Sequence, residues 1–400
     1  MPLIDMRATQ RALAIDYAIR EVTVPARELE NKGVKVIKLN IGDPNKWDFR
    51  TPEHVRAALC RAVEECDNGY TQEEGITELR EALAEKERKQ NGIKISAQDI
   101  YITNGVSESI LDLVASSVEA GEEVLVPGPC YPSYIEYIRY FGGVPVPYWC
   151  DESNGWQPDV DDIRKKITSR TKAMVIINPN NPTGATYSRK TLKQITDLVG
   201  EHDMFLISDE IYDLMTFEGE HYSPATVAPD IPVVLLNGFS KVDLLPGWRL
   251  GYSAFRDPKG QLAEIREGFV KQLRLRLCAN YPCQLAVIQA LKGPQDYMKE
   301  TREKLRERGT FAHKRLNEIE GISTTKPRGA FYIFPKVELT RWKNDKEFVL
   351  DFLKEKHVLF VHGSGFDKTY GAGHFRSVFL PPVEILEDAF DRLDSFMRKA

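Results

Sequence analysis

Short apolar runs alternate with amphipathic stretches between about residue 50 and residue 255. Several of these runs are continuously apolar rather than alternating with polar residues, which is typical of strands covered on both faces of a sheet. Strands separated by helices predict a mostly parallel sheet of the α/β class. The strands are expected at residues 100–103, 124–126, 173–177, 205–208, 233–236 and 251–255.

The pattern changes after residue 290. Residues 297–318 predict one long, charged helix, and beyond it short apolar runs alternate with two further helical segments. This pattern indicates a smaller α+β domain. We therefore expect an N-terminal segment (1–45) that packs with the small domain, a large domain (46–290) and a small C-terminal domain (291–400).

The length, charge and composition of the chain argue against several classes of protein. A length of 400 residues favours two domains, and a net charge of −5 provides no basic field for nucleic acid. No apolar run approaches the roughly 18 residues that span a bilayer, and the start of the chain lacks the features of a signal peptide. Six cysteines without a CxxC pair and seven histidines without metal-ligand spacing predict reduced thiols, a cytoplasmic location and no metal site.

Polar residues follow several of the predicted strands. Open α/β sheets bind ligands beyond the carboxyl ends of their strands, so these residues are expected to meet at one edge of the sheet. Each has an ordinary structural explanation when taken alone, such as a turn, a helix cap or an exposed strand end. The set comprises Gly105, Val106, Ser107, Asn181, Asp209, Tyr212, Ser240, Lys241 and Arg249.

The residue types match the needs of pyridoxal phosphate. Lys241 offers an amine for the cofactor aldehyde, and Asp209 offers a carboxylate that would keep the pyridine nitrogen protonated. Asn181 and Tyr212 offer donors for the phenolic oxygen. A helix start at 105–107, Ser240 and Arg249 suit the phosphate, while the ring of Tyr131 is placed to cover the cofactor.

The motifs SDEIY, INPNNPTG and FSKVDLLPGWRLGY resemble those of the class I aminotransferases of pyridoxal-phosphate fold type I. The segments LNIGDP, RLCANYPCQ and GHFRSVFLPP are most similar to those of archaeal and bacterial alanine aminotransferases. The resemblance implies a large domain with a mostly parallel seven-stranded sheet and a smaller α+β C-terminal domain. It also implies a ping-pong transfer of the amino group from L-alanine to 2-oxoglutarate, giving pyruvate and L-glutamate.

The resemblance assigns a role to each cofactor residue. Lys241 would bond to the cofactor and move the substrate proton, Asp209 would pair with the pyridine nitrogen, and Tyr131 would stack on the ring. Asn181 and Tyr212 would bind the phenolic oxygen. The phosphate would be held by Gly105, Val106, Ser107, Ser240 and Arg249, and by Tyr70 of a neighbouring subunit, which implies a homodimer with shared sites.

The substrate residues follow from the same resemblance. Arg376 would bind the α-carboxylate with two parallel hydrogen bonds, helped by the backbone of Gly42 and by Asn181 and Tyr131. Tyr17 and Arg20 resemble residues of an N-terminal segment that folds over the site in the alanine subgroup. An ordinary amphipathic helix would also explain these two residues.

Four positions depart from the family pattern. Gly238 replaces a Ser or Thr that touches the phosphate, Asp243 replaces a Tyr, Tyr281 replaces a smaller residue, and Pro246 precedes Gly-Trp-Arg. None of these positions touches the core chemistry, but Asp243 and Tyr281 leave open an aspartate or a broad, aromatic aminotransferase. A ligand-sensing transcription factor would need a DNA-binding domain ahead of LNIGDP, and only about 40 residues precede it. A nicotinamide dehydrogenase would need a GxGxxG motif directly after a strand, and this motif follows none of the predicted strands.

Overall fold

The structure is a computed structural model that describes residues 6–65 and 68–398. Its helices are α1 (Gln10–Leu13), α2 (Ala18–Glu21), α3 (Thr23–Asn31), α4 (Glu53–Glu65), α5 (Thr77–Gln90), α6 (Val106–Ser117), α7 (Pro132–Tyr140), α8 (Val160–Lys166), α9 (Arg189–Glu201), α10 (Pro224–Val227), α11 (Ala263–Arg276), α12 (Tyr281–Lys292), α13 (Asp296–Asn317), α14 (Asp345–Lys356) and α15 (Val383–Met397).

The strands are short in the C-terminal part and longer in the middle of the chain. They are β1 (Ile37–Lys38), β2 (Ile100–Thr103), β3 (Glu123–Gly128), β4 (Val144–Asp151), β5 (Gln157–Pro158), β6 (Thr171–Ile177), β7 (Phe205–Asp209), β8 (Val233–Gly238), β9 (Gly251–Arg256), β10 (Ile322–Ser323), β11 (Tyr332–Ile333), β12 (Lys336–Val337), β13 (Val358–Leu359), β14 (Val361–His362) and β15 (Phe375–Val378).

The main sheet has the strand order β2-β9-β8-β7-β6-β3-β4-β5. The pairs β8–β7, β7–β6, β6–β3 and β3–β4 are parallel, whereas β9 runs antiparallel to both of its neighbours. All six strands expected from the apolar runs are present, and the α/β class with a mostly parallel sheet is confirmed. The sheet has eight strands where seven were expected, because the two-residue β5 pairs with the end of β4.

Burial on both faces explains the continuous apolar runs. In β6, Ala173, Val175 and Ile177 pack into one core cluster, and the alternate residues Met174 and Ile176 pack into another on the opposite face. Successive side chains of a strand point to opposite faces of the sheet. A strand that is covered by helices on both faces therefore favours apolar residues at every position.

Strand β4 was not predicted from the sequence, because it contains two prolines. Pro145 and Pro147 lie opposite Val124 and Val126 of β3. The Val144 amide donates to the Glu122 carbonyl, so the amide positions of residues 145 and 147 face away from β3, toward the edge of the sheet. Proline is tolerated there because no ladder hydrogen bond is lost.

The C-terminal part contains the three-stranded sheet β11-β15-β14 and a core rich in phenylalanine. The predicted charged helix is α13, displaced by one residue. Strand β1 of the N-terminal segment pairs with β13, so this segment contacts the C-terminal part of the chain. The expected boundaries at residues 45 and 290 stay predictions.

No helix within residues 6–65 and 68–398 combines the length and the apolarity needed to cross a membrane. In the same residues no three His, Cys, Asp or Glu side chains form a group that could hold a metal ion.

Candidate active site

A cavity of about 510 Å³ lies at the carboxyl ends of the parallel strands, and we call it the strand-end cavity. The loops after β6, β7 and β8 and the start of α6 form its floor, because parallel strands all end at this edge. Most residues predicted for the site line it, namely Tyr17, Arg20, Gly42, Val106, Ser107, Tyr131, Asn181, Asp209, Tyr212, Ser240, Lys241, Arg249 and Arg376.

Lys241 presents its amine to the strand-end cavity. Its Nζ donates a hydrogen bond of 2.9 Å to the Gly42 carbonyl and lies 5.6 Å from the ring centroid of Phe331. Removal of water from the amine lowers its pKa to about 8, and the positive charges of Arg376 and Arg249 act in the same direction. Roughly a tenth of the amine is therefore neutral at pH 7, and this neutral form is the one that attacks an aldehyde.

Asp209 is the last residue of β7 and is almost fully buried. Its carboxylate accepts hydrogen bonds from the Tyr134 hydroxyl (2.9 Å) and from the Ile211 amide (3.2 Å). Burial raises its pKa to about 6, and these two hydrogen bonds oppose the rise. The carboxylate is thus held in a fixed orientation and would gain from a cationic N–H partner. Tyr134 was missed in the sequence, because nothing in the stretch PCYPSY that carries Tyr131 shows that its second tyrosine reaches Asp209.

Arg249 and the start of α6 form an anion cradle. The guanidinium donates to the Pro246 carbonyl (2.9 Å), the Asn104 carbonyl (3.2 Å) and the Ser240 hydroxyl (3.4 Å). The first turn of a helix has backbone N–H groups without helical partners, which suits a phosphate. Gly105 precedes this turn with φ +82°, and a Cβ there would lie 2.4 Å from Nη2 of Arg249. The positive φ favours glycine at this position, and a side chain there would also displace the guanidinium of Arg249.

Arg376 is a buried cation in the wall of the cavity, with 1% of its surface exposed. It donates to Oδ1 of Asn181 (2.8 Å) and to the Asn40 carbonyl, and its guanidinium carbon lies 4.6 Å from the ring centroid of Tyr332. Its Nε has no hydrogen-bond partner among the described residues. No carboxylate of these residues forms an ion pair with Arg376. Burial of an unpaired charge is costly, so this arrangement favours an anionic ligand.

The N-terminal segment closes one side of the cavity. The hydroxyl of Tyr17 lies 2.8 Å from that of Tyr131, and the two rings meet edge to face. Burial, followed by the proximity of Tyr131, raises the pKa of Tyr17. Behind Tyr17, the Asp16 amide donates to the Glu136 carboxylate of α7. Arg20 also lines the cavity and remains exposed.

Two predicted residues do not line the cavity. Gly105 lies against Arg249 just behind the wall. Tyr70 is 83% exposed on the outside of the chain, so it makes no contribution to the cavity of its own subunit.

Three of the four departures from the family pattern lie away from the strand-end cavity, whereas Pro246 lines it and accepts a hydrogen bond from Arg249 through its carbonyl. Gly238 is paired with Gly251 across β8 and β9, and a Cβ at Gly238 would lie 2.7 Å from the Gly251 Cα. Asp243 accepts a hydrogen bond of 2.7 Å from the Tyr297 hydroxyl and lines a separate, smaller cavity near Lys86. Burial raises the pKa of Asp243 to about 6. Tyr281 begins α12 and packs against the main core.

Tyr332 is a cavity residue that the sequence analysis missed. It lies on β11, and its hydroxyl is 2.8 Å from that of Tyr212. Burial raises its pKa to about 12, and Arg376 limits the rise. The only sequence signal was its place in GAFYIFP, which gives no indication that the side chain reaches the strand-end cavity.

The donor set fits pyridoxal phosphate. The strand-end cavity is bordered by a lysine with a lowered pKa, by a carboxylate held by two donors, and by the anion cradle, which a Cβ at Gly105 would obstruct. Asn181 accepts from Arg376 through Oδ1, which leaves its amide N–H groups to donate into the cavity.

Comparison with known proteins agrees with this geometry. The family model described as aminotransferase class I and II matches residues 34–393. A solved structure of alanine aminotransferase from Pyrococcus furiosus superimposes with a TM-score of 0.96 at 56% identity, covering 98% of this chain and all of that one. The glutamate-pyruvate aminotransferase AlaA of Escherichia coli is 38% identical over 95% of both chains, and the aromatic-amino-acid aminotransferase 2 of Thermococcus litoralis is 36% identical over 91% of this chain and 92% of its own.

Proposed function

Because this chain belongs to the class I and II aminotransferases, we propose that it transfers the amino group of L-alanine to 2-oxoglutarate, giving pyruvate and L-glutamate. The observation that carries the proposal is the buried, unpaired guanidinium of Arg376 in the same cavity as Lys241 and Asp209. One ligand that is both a carboxylate and an amine would satisfy the cation while placing its amino group near the lysine. Relatives named as alanine or glutamate-pyruvate aminotransferases support alanine as the donor.

The cofactor in this proposal is pyridoxal phosphate, which supplies an electron sink when bound. Lys241 would accept the proton from the Cα of the amino acid and deliver it to the C4′ carbon of the cofactor. Asp209 would hold the proton on the pyridine nitrogen. Tyr212 and Asn181 would donate to the phenolic oxygen, and the ring of Tyr131 would exclude water from one face.

The phosphate would be held at the anion cradle. Arg249 and the hydroxyl of Ser240 lie 3.4 Å apart, so both can contact the same phosphate. The N–H groups of Val106 and Ser107 would add two donors from the helix start, and Gly105 keeps this approach open.

The substrates would bind beside the N-terminal segment. Arg376 would bind the α-carboxylate, with the Gly42 backbone beside it. Tyr17 and Tyr131 would enclose a small side chain such as the methyl group of alanine. Arg20, an exposed cation on the cavity wall, would pair with the second carboxylate of 2-oxoglutarate.

We further propose a homodimer in which Tyr70 reaches the phosphate of the partner subunit. Tyr70, Leu275 and Leu277 are 83%, 83% and 53% exposed, which is unusual for large apolar side chains. An ion pair of 2.9 Å between Arg274 and Glu73 brings the end of α11 close to the segment that carries Tyr70. A partner subunit would cover this surface.

A cytoplasmic location is part of the same proposal. The cysteines for which the structure describes a thiol, Cys60, Cys130, Cys150, Cys278 and Cys283, are free. Free thiols are the usual state in a reducing compartment.

The second candidate is an aspartate or broad, aromatic aminotransferase. The relative named aromatic-amino-acid aminotransferase 2 favours it, as does the aromatic lining supplied by Tyr17, Tyr131 and Tyr332. An experiment separates the two: kcat/KM is measured for L-alanine, L-aspartate and L-tyrosine with 2-oxoglutarate as acceptor. The proposal predicts the highest kcat/KM for L-alanine. A higher kcat/KM for L-aspartate or L-tyrosine would show that this amino acid, and not alanine, is the preferred donor.

A further inference from the structure

Tyr332 connects two groups of the site that the family roles treat as independent. Its hydroxyl lies 2.8 Å from the hydroxyl of Tyr212, and the two rings meet at 88°. Its ring lies under the guanidinium of Arg376, with 4.6 Å between the guanidinium carbon and the ring centroid. The antiparallel pairing of Tyr332 with Val378 fixes this position, because Val378 and Arg376 belong to the same strand.

The direction of the hydrogen bond between the two hydroxyls follows from their surroundings. A phenol has one O–H to donate and lone pairs to accept. If Tyr212 donates to the cofactor, its oxygen is left to accept from Tyr332. Tyr332 is then the donor of the pair.

We propose that Tyr332 is a positioning residue: it donates its hydroxyl hydrogen to Tyr212, and so directs the Tyr212 O–H toward the phenolic oxygen of the cofactor. The inference rests on the proposed function, because it assigns Tyr212 to that oxygen. The hydroxyl and the ring of Tyr332 have separate tasks. The hydroxyl acts through Tyr212, and the ring supports the plane of Arg376.

The consequence is a measurable change in the bound cofactor. A donor to the phenolic oxygen stabilises its anion and thereby lowers the apparent pKa at which the visible band of the cofactor titrates. Removal of the Tyr332 hydroxyl leaves Tyr212 free to turn away, which weakens that donation. Neutral hydrogen bonds contribute about 0.5–1.5 kcal/mol, so the apparent pKa would rise by about half a unit to one unit in Tyr332→Phe.

The test is a pH titration of the visible spectrum of the holoenzyme. Four proteins are compared: wild type, Tyr332→Phe, Tyr212→Phe and the double variant. Tyr148→Phe is the matched control, because Tyr148 is a fully buried tyrosine whose hydroxyl donates to the Val175 carbonyl outside the cavity. Propionate binding to each holoenzyme, followed by the same band, reports on Arg376.

The proposal predicts a raised apparent pKa in Tyr332→Phe, a larger rise in Tyr212→Phe, and no further rise in the double variant. It also predicts wild-type propionate affinity in Tyr332→Phe, since phenylalanine keeps the ring under Arg376. An unchanged apparent pKa in Tyr332→Phe, or an equal rise in the Tyr212→Phe background, would overturn the role of Tyr332 alone. A wild-type protein that takes up no pyridoxal phosphate would overturn the proposed function, and this inference with it.

Discussion

Replacement of Arg376 by lysine isolates the carboxylate contact from the rest of the site. Lysine keeps the positive charge, but it offers a single ammonium group instead of a planar fork that donates two parallel hydrogen bonds. The substitution also removes the donor to Oδ1 of Asn181 and the contact with the Tyr332 ring. The cofactor residues Lys241, Asp209 and Arg249 keep their own contacts.

The expected magnitude follows from the bonds lost. A hydrogen bond to a charged group contributes about 1.5–3 kcal/mol, and Arg376→Lys removes one of the two to the substrate. That energy corresponds to a loss of about 10- to 150-fold in kcat/KM for L-alanine. Because both substrates are carboxylates, kcat/KM for 2-oxoglutarate is expected to fall by a similar factor.

The assay measures pyruvate formation from L-alanine and 2-oxoglutarate over a range of each substrate. Arg308→Lys is the matched control, because Arg308 is a buried arginine that pairs with Asp48 at 2.8 Å outside the strand-end cavity. Arg308→Lys should retain kcat/KM at a temperature where both variants are folded. A decrease of less than about threefold in Arg376→Lys, with the cofactor bound as in wild type, would refute the assignment of Arg376 to the carboxylate.

Three further predictions address other parts of the site. Arg20→Gln should raise KM for 2-oxoglutarate and L-glutamate by about tenfold while KM for L-alanine and pyruvate changes little, since only the first pair has a second carboxylate to meet a cation; equal effects on all four substrates in steady-state assays would contradict this role. The apoenzyme should combine with pyridoxal phosphate faster as the pH rises through about 8, because the lowered pKa of Lys241 yields the neutral amine there; stopped-flow rates that keep climbing toward pH 10 would indicate an ordinary lysine. Gly238→Ser should lower the melting temperature, since its Cβ would lie 2.7 Å from the Gly251 Cα, at a cost of about 1–3 kcal/mol in the free energy of unfolding; a stable variant with tighter cofactor binding would show that the backbone can move apart.

The strands and the residues at their ends could be predicted from the sequence because both leave local signals. A strand buried on both faces has a continuous apolar run, and its carboxyl end is marked by polar residues such as Asp209. Strand β4 gave no such signal, because Pro145 and Pro147 are tolerated only at an edge, and the edge depends on the strand order.

Contacts between distant segments could not be predicted in the same way. Tyr332 reaches Tyr212 through the pairing of β11 with β15, and Tyr134 reaches Asp209 from α7, which is distant from β7 in the chain. Asp243 replaces a Tyr of the family pattern, and its hydrogen bond with Tyr297 of α13 directs its carboxylate to a cavity separate from the strand-end cavity. Each of these outcomes depends on how elements pack, which a motif does not encode.

Two claims are central: Lys241 joins the cofactor to the chain, and L-alanine is the amino donor. The visible spectrum of the purified protein, supplied with pyridoxal phosphate, tests both claims when it is recorded alone, after L-alanine and then after 2-oxoglutarate. Wild type should show a cofactor band that L-alanine bleaches and 2-oxoglutarate restores, and Lys241→Ala should show no such cycle. A wild-type protein without a cofactor band, or a Lys241→Ala variant that cycles like wild type, would contradict the account.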